Sequence, residues 1–119
     1  MTRQEFLETV RWAPQYRPGW DQTPERYLEA GLIKWGKGRR LGLAEDPARG
    51  FKAYFGVQHY DPSMWGVPGA PRCQYFVSLW SDGVCRTMRS FPTMSQAIEA
   101  AWEFCRSLRP VASRRSWQR

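Results

Sequence analysis

A chain of 119 residues, 42% of them hydrophobic, holds enough apolar material for one core and too little for two domains. Its mean hydropathy of −0.64, with no apolar run near the ~20 residues of a membrane span, excludes a helical transmembrane protein. Eighteen basic and eleven acidic side chains leave a net charge of +7, which points to an anionic partner wherever that charge clusters.

The first element is a short helix. Thr2 and Glu5 have the capping-box spacing, Phe6, Leu7 and Val10 form the buried side, and Pro14, Pro18 and Gly19 break the pattern after Trp12. A second helix starts with Thr23 as N-cap, Pro24 in the first helical position and Glu25 near the positive end of the dipole. Gly31 either ends it as the C′ glycine, with Leu32 as hydrophobic companion, or the helix runs on to Trp35.

Trp35-Gly36-Lys37-Gly38-Arg39-Arg40 follows. Its glycines let backbone amides turn toward an anion, and Lys37, Arg39 and Arg40 supply countercharge. The lysine-serine/threonine pair of a P-loop is absent. The plainer alternative is a tight turn between two short strands, Leu32 to Trp35 and Leu41 to Leu43.

From Phe51 to Tyr60 the period changes to two, which predicts a half-buried strand. Two more strands are expected over Cys73 to Trp80 and Val84 to Phe91, joined by Ser81-Asp82-Gly83. With Trp80 opposite Val84, Phe76 faces Met88 and Ser78 faces Arg86. A bulge at Gly83 would shift that register. The last helix is capped by Thr93 and Gln96 and shows Ala97, Ile98, Ala101, Trp102, Cys105 and Leu108 at helical spacing.

These elements define an α+β fold: two N-terminal helices, a three-stranded antiparallel sheet, and a C-terminal helix packed on one sheet face. Residues 1–108 form the single domain. Residues 109–119 form a basic tail, expected to be disordered when free. The C-terminal helix is assigned to the face of Phe55, Tyr75, Val77 and Leu79. The other face then carries Lys52, Tyr54, Gln58, Tyr60, Gln74, Phe76, Ser78, Trp80, Arg86 and Met88. Either it is open, or the N-terminal helices cover it and make a two-sided core. The strand-strand-strand-helix order over residues 51–108 resembles, by topology, the arm-site-binding domains of tyrosine recombinases and related three-stranded DNA readers.

Charge clusters in two places, net +4 over residues 32–60 and net +4 over residues 109–119, and fifteen of the eighteen bases are arginine. Arginine forms planar bidentate contacts to phosphate and stacks on rings. Aromatics for bases with cations for phosphates are the chemistry of a nucleic-acid-reading sheet. The expected contact set is Lys37, Arg39, Arg40, Lys52, Tyr54, Phe76, Trp80 and Arg86, with Arg114 and Arg115 of the tail. The loop from Asp61 to Pro71 holds Met64 and Trp65 among prolines and glycines. An apolar tip of this kind suits a protein interface. The alternative function is therefore a protein-binding inhibitor or adaptor, of the sort a phage or mobile element uses to block a host nucleic-acid machine.

An enzyme is not expected. His59 is the sole histidine, and Cys73, Cys85 and Cys105 fit neither a disulfide framework nor zinc-knuckle spacing. They read as reduced, mostly buried thiols. Glu99 and Glu103 sit on the polar side of a helix and read as solvation. No metal, cofactor or membrane partner is expected, and the opening Met1-Thr2-Arg3-Gln4-Glu5, without an apolar h-region, suggests a cytoplasmic location.

Overall fold

The computed structural model describes residues 1–111. The capping box at Thr2 forms as the spacing predicts: Thr2 Oγ1 accepts from the Glu5 amide at 3.1 Å, and the Glu5 carboxylate accepts from the Thr2 amide at 3.2 Å. Helix α1 covers Arg3–Thr9 and buries Phe6. Helix α2 is a short turn and a half, Glu25–Glu29. Gly31 ends it at φ +75°, with the Leu32 amide donating to the Tyr27 carbonyl at 2.9 Å and the Gly31 amide to Leu28 at 3.0 Å, a Schellman closure. The helix does not continue to Trp35.

The sheet is larger than the three strands expected. It has five antiparallel strands in the order of the chain: β1 Arg11–Trp12, β2 Gly38–Asp46, β3 Phe51–Tyr60, β4 Arg72–Ser81 and β5 Val84–Phe91. The extra strands come from residues whose local pattern hides them. In β2, glycines at 38 and 42 interrupt any alternation. The register slips between Arg40 and Gly42, which leaves Leu41 as the additional, fully buried residue. Gly42 is bare because Trp12 lies over it: a Cβ there would meet the indole at 2.6 Å. Residues 32–35 form no strand, and the three-stranded topology likened to recombinase arm-binding domains gives way to a five-stranded meander.

Asp82 and Gly83 both adopt positive φ, 52° and 78°, so β4 and β5 are joined by a two-residue turn that pairs Ser81 with Val84. A bulge then falls opposite Leu79 and Trp80 rather than at Gly83. Ser78 faces Met88, Phe76 faces Ser90, and Trp80 faces Cys85. The expected pairing of Ser78 with Arg86 is thereby corrected.

Helix α3, Met94–Ser107, is capped by Thr93, whose Oγ1 accepts from the Gln96 amide at 3.3 Å. It buries Met94, Ala97, Ile98, Ala101 and Cys105, and each large side chain among them contributes ~1.5–3 kcal/mol by leaving water. These three helices lie on one side of the sheet. Phe6 of α1 meets Phe51 and Trp102 at ring-centroid distances of 6.0 and 5.4 Å. Tyr27 of α2 meets Tyr75 edge-on at 6.2 Å, and the Tyr75 hydroxyl donates to the Trp20 carbonyl. The core lies between this helical layer and the inward residues Phe55, Val57, Val77 and Leu79. Among the described residues, no helix covers the opposite face, and none is long and apolar enough to cross a membrane.

Candidate nucleic-acid interface

Strand alternation places Lys52, Tyr54, Gly56, Gln58 and Tyr60 of β3 on the uncovered face, beside Arg72, Gln74, Phe76, Ser78 and Trp80 of β4. Four rings therefore share one surface. Phe76 lies across Gly56, its cross-strand partner, and fills the space where a side chain would stand. Trp80 is fixed by donating from Nε1 to Ser78 Oγ at 3.2 Å, and it meets Tyr54 edge-on at 6.1 Å and 80°.

Cations are interleaved with these rings. Arg40, the last β2 residue before the bulge, pairs with Gly56 and so lies on this face, and its guanidinium carbon sits 4.0 Å from the Tyr54 ring centre. Lys52 Nζ lies 6.0 Å from the same ring. Arg72, opposite Tyr60, holds its guanidinium 5.9 Å from that ring. Among the described residues none of these three cations forms an ion pair.

Acidic groups are mostly elsewhere. Glu5, Glu8, Glu25, Glu29, Glu99 and Glu103 belong to the three helices on the far side. On this face Glu45 is tied to Arg11 at 2.8 Å, Asp82 sits in the β4–β5 turn, and Asp61 follows β3 beside Tyr60. The uncovered face is thus an aromatic strip with positive charge, a combination that stacks on planar groups and attracts anions.

The sequence-predicted residues are divided by this geometry. Arg40, Lys52, Tyr54, Phe76 and Trp80 come together. Arg39 does not join them: it pairs with Val57 and donates from Nε to the Leu32 carbonyl at 2.7 Å. Nor do the glycine-flexed amides form an anion cradle. The Gly36 amide donates to His59 Nδ1 at 2.9 Å and the Lys37 amide to the Lys34 carbonyl at 2.9 Å. The Lys37 side chain stays exposed at this turn. Arg86 turns to Ser81, donating to its Oγ at 2.7 Å, and Ser81 belongs by alternation to the helix-covered side. Arg114 and Arg115 lie outside the described residues. Arg72 joins the site from outside the expected set, and Gly56, which alternation already sets beside Tyr54 and Gln58, gains its role from the cross-strand ring of Phe76. The β3–β4 register that sets Arg72 against Tyr60 is hidden behind the Asp61–Pro71 loop.

That loop is a built structure. Asp61 Oδ1 accepts from the Ser63 amide at 3.0 Å and the Ser63 hydroxyl at 2.7 Å. These bonds hold its carboxyl below the usual carboxylate range. Gly66 closes the turn at φ +69°. Met64 packs against Gly36, and Trp65 remains 74% exposed.

His59 is buried, its ring 4.0 Å from that of Trp35. Cys73 and Cys105 are buried, whereas Cys85 is exposed on the edge strand. Among the described residues, no three His, Cys, Asp or Glu side chains converge as metal ligands would. Compared with protein-family models, curated proteins and solved structures, the chain matches none of them.

Proposed function

We propose that this protein is a non-enzymatic nucleic-acid-binding module whose contact surface is the uncovered face of its sheet. The observation that carries this reading is the stacked Arg40–Tyr54 pair at 4.0 Å, set among Trp80, Phe76 and Tyr60 on a face that none of the described helices occupies. Rings and guanidinium planes engage bases, while Arg40, Lys52 and Arg72 neutralise phosphates. The test is fluorescence anisotropy with labelled oligonucleotides across a salt series. Binding should weaken with salt, and the triple variant Arg40→Ala, Lys52→Ala, Arg72→Ala should flatten the log–log slope by roughly 0.7–0.9 for each phosphate no longer neutralised. No binding at low salt, or an unchanged slope in the triple variant, would overturn the reading.

A protein partner is the second reading, and Trp65 carries it. An indole 74% exposed, beside Met64 at 64%, is a ring placed for burial by something else.

A further inference from the structure

We propose that the open face takes single-stranded nucleic acid, laid along β3 and β4, and discriminates against duplex. This rests on the nucleic-acid reading and narrows its ligand. The rings project from the two inner strands of the uncovered face, with β2 on one side and β5 on the other. At a spacing of roughly 4.8 Å, the four strands from β2 to β5 span about 14 Å before side chains are added. The major groove of B-DNA is about 12 Å wide and admits a helix or a two-stranded ribbon. A sheet this broad stays outside the groove, so its central rings never reach paired bases. Unpaired bases come to the rings instead.

The rings also leave planar groups within reach of a base. Phe76 extends across Gly56, where no side chain competes for the space above the strand. The Arg40 plane on Tyr54 offers a second flat surface. Two recesses flank this centre. One, of about 410 Å³, opens beside Lys52, Tyr54 and Trp80, with Glu45 and Asp82 also on its lining. The other, of about 360 Å³, is lined by Trp65, Tyr60, Phe76, Lys37 and Asp61, with Gln58 as an amide able to bond a base edge. Tyr54 and Tyr60 are six residues apart on one strand, about 20 Å. A strand running between the recesses passes Arg40, opposite Gly56, and reaches Arg72 at the Tyr60 end, and each recess takes an unstacked base.

The experiment compares labelled dT and rU oligomers of about 12 nucleotides with a duplex of the same length, all against the unaltered protein. Either single strand should bind at least about tenfold more tightly than the duplex. The ratio of rU to dT then tells RNA from DNA through the 2′-hydroxyl. Phe76→Leu keeps an apolar cover over Gly56 but removes the flat ring. It should lower single-strand affinity about tenfold and leave the salt slope unchanged, because stacking releases no counterion. Thermal melting of Phe76→Leu checks that it folds, and Trp80→Ala gives an independent ring deletion with the same expected loss. Duplex binding equal to or tighter than single-strand binding overturns this inference while the nucleic-acid reading stands. Absence of binding to all three probes overturns both. Ring variants with unchanged single-strand affinity overturn it as well.

Discussion

The ring of Phe76 occupies the side-chain space of Gly56, directly across the β3–β4 ladder. Glycine in the middle of a strand is unfavourable by itself; here it is the condition for the Phe76 ring to cross the neighbouring strand. A Cβ at residue 56 would overlap Cζ and Cε1 of Phe76 and come within 2.6 Å of the Arg39 carbonyl oxygen. Gly56→Ala should therefore destabilise the fold by roughly 1–3 kcal/mol, the usual range for overpacking. Combined with Phe76→Ala, the two effects should sum to less than their separate values, because the ring clash is removed while the carbonyl clash persists. Strict additivity in thermal or urea melts would show that the two residues do not meet.

Arg40 allows charge to be separated from shape. Arg40→Lys keeps the cation but loses the plane that lies 4.0 Å from Tyr54. Its salt slope should match that of the unaltered protein, with affinity lower by a few-fold. Arg40→Ala should lower both. Because the side chain is exposed, each variant should keep its stability to within ~1 kcal/mol. Identical binding by the arginine and lysine forms would remove stacking from the role of Arg40.

Elements that carry their own signal are readable from the chain. The capping box at Thr2, the N-cap at Thr93 (where Gln96 accepts from the Thr93 hydroxyl and not from its amide), the alternation from Phe51 to Tyr60, and the Asp82-Gly83 turn each depend on residues near one another. Strands β1 and β2 depend on residues far apart. Gly42 reads as a breaker until Trp12, thirty positions earlier, is seen to lie over it. The same holds for the site. Alternation alone brings Tyr54, Phe76 and Trp80 to one face and, once β2 is known to be a strand, sets Arg39 opposite Val57 and Arg40 opposite Gly56 on different faces; what no local pattern announces is the bulge at Leu41, which reverses the faces for the rest of β2. Arg86 leaves its expected place because the two-residue turn sets Trp80 against Cys85, and Arg86 is then the extra residue of the bulge before Thr87.

Buried acids of high ordinary pKa make alkaline pH a probe of the core. Burial, reinforced by the Asp46 carboxylate 3.9 Å from its Sγ, pushes the Cys105 thiol from its ordinary 9.0 to about 11. The unfolded chain gives up this proton before the folded one does. The stability carried by the protonated thiol is complete below pH 9.0 and is lost as the pH climbs through about 11. Burial raises Tyr16 and Tyr75 in the same direction, so the loss continues upward. Cys105→Ala removes one contributor, and its melting temperature should fall less steeply than that of the unaltered protein over this range. Parallel curves would show that the thiol plays no part.

Trp65 separates the two functional readings. The turn beneath it is fixed by Asp61, Ser63 and Gly66, and Met64 anchors it on Gly36, so Trp65→Ala removes an exposed ring from a rigid support. Stability should change by no more than ~0.5 kcal/mol, as for other exposed positions. On the open face Trp65 lines only one of two recesses. Single-strand affinity should therefore fall by no more than about tenfold, with the salt slope intact. A protein-directed module behaves in the opposite way: loss of a central indole costs about 2 kcal/mol or more of partner binding, while Arg40→Ala and Lys52→Ala leave that binding nearly untouched. A large fall in melting temperature would place the ring in the core and remove it from both readings. Unchanged oligonucleotide affinity would move the strand's path off this recess and toward Tyr54 and Trp80, where the second recess lies.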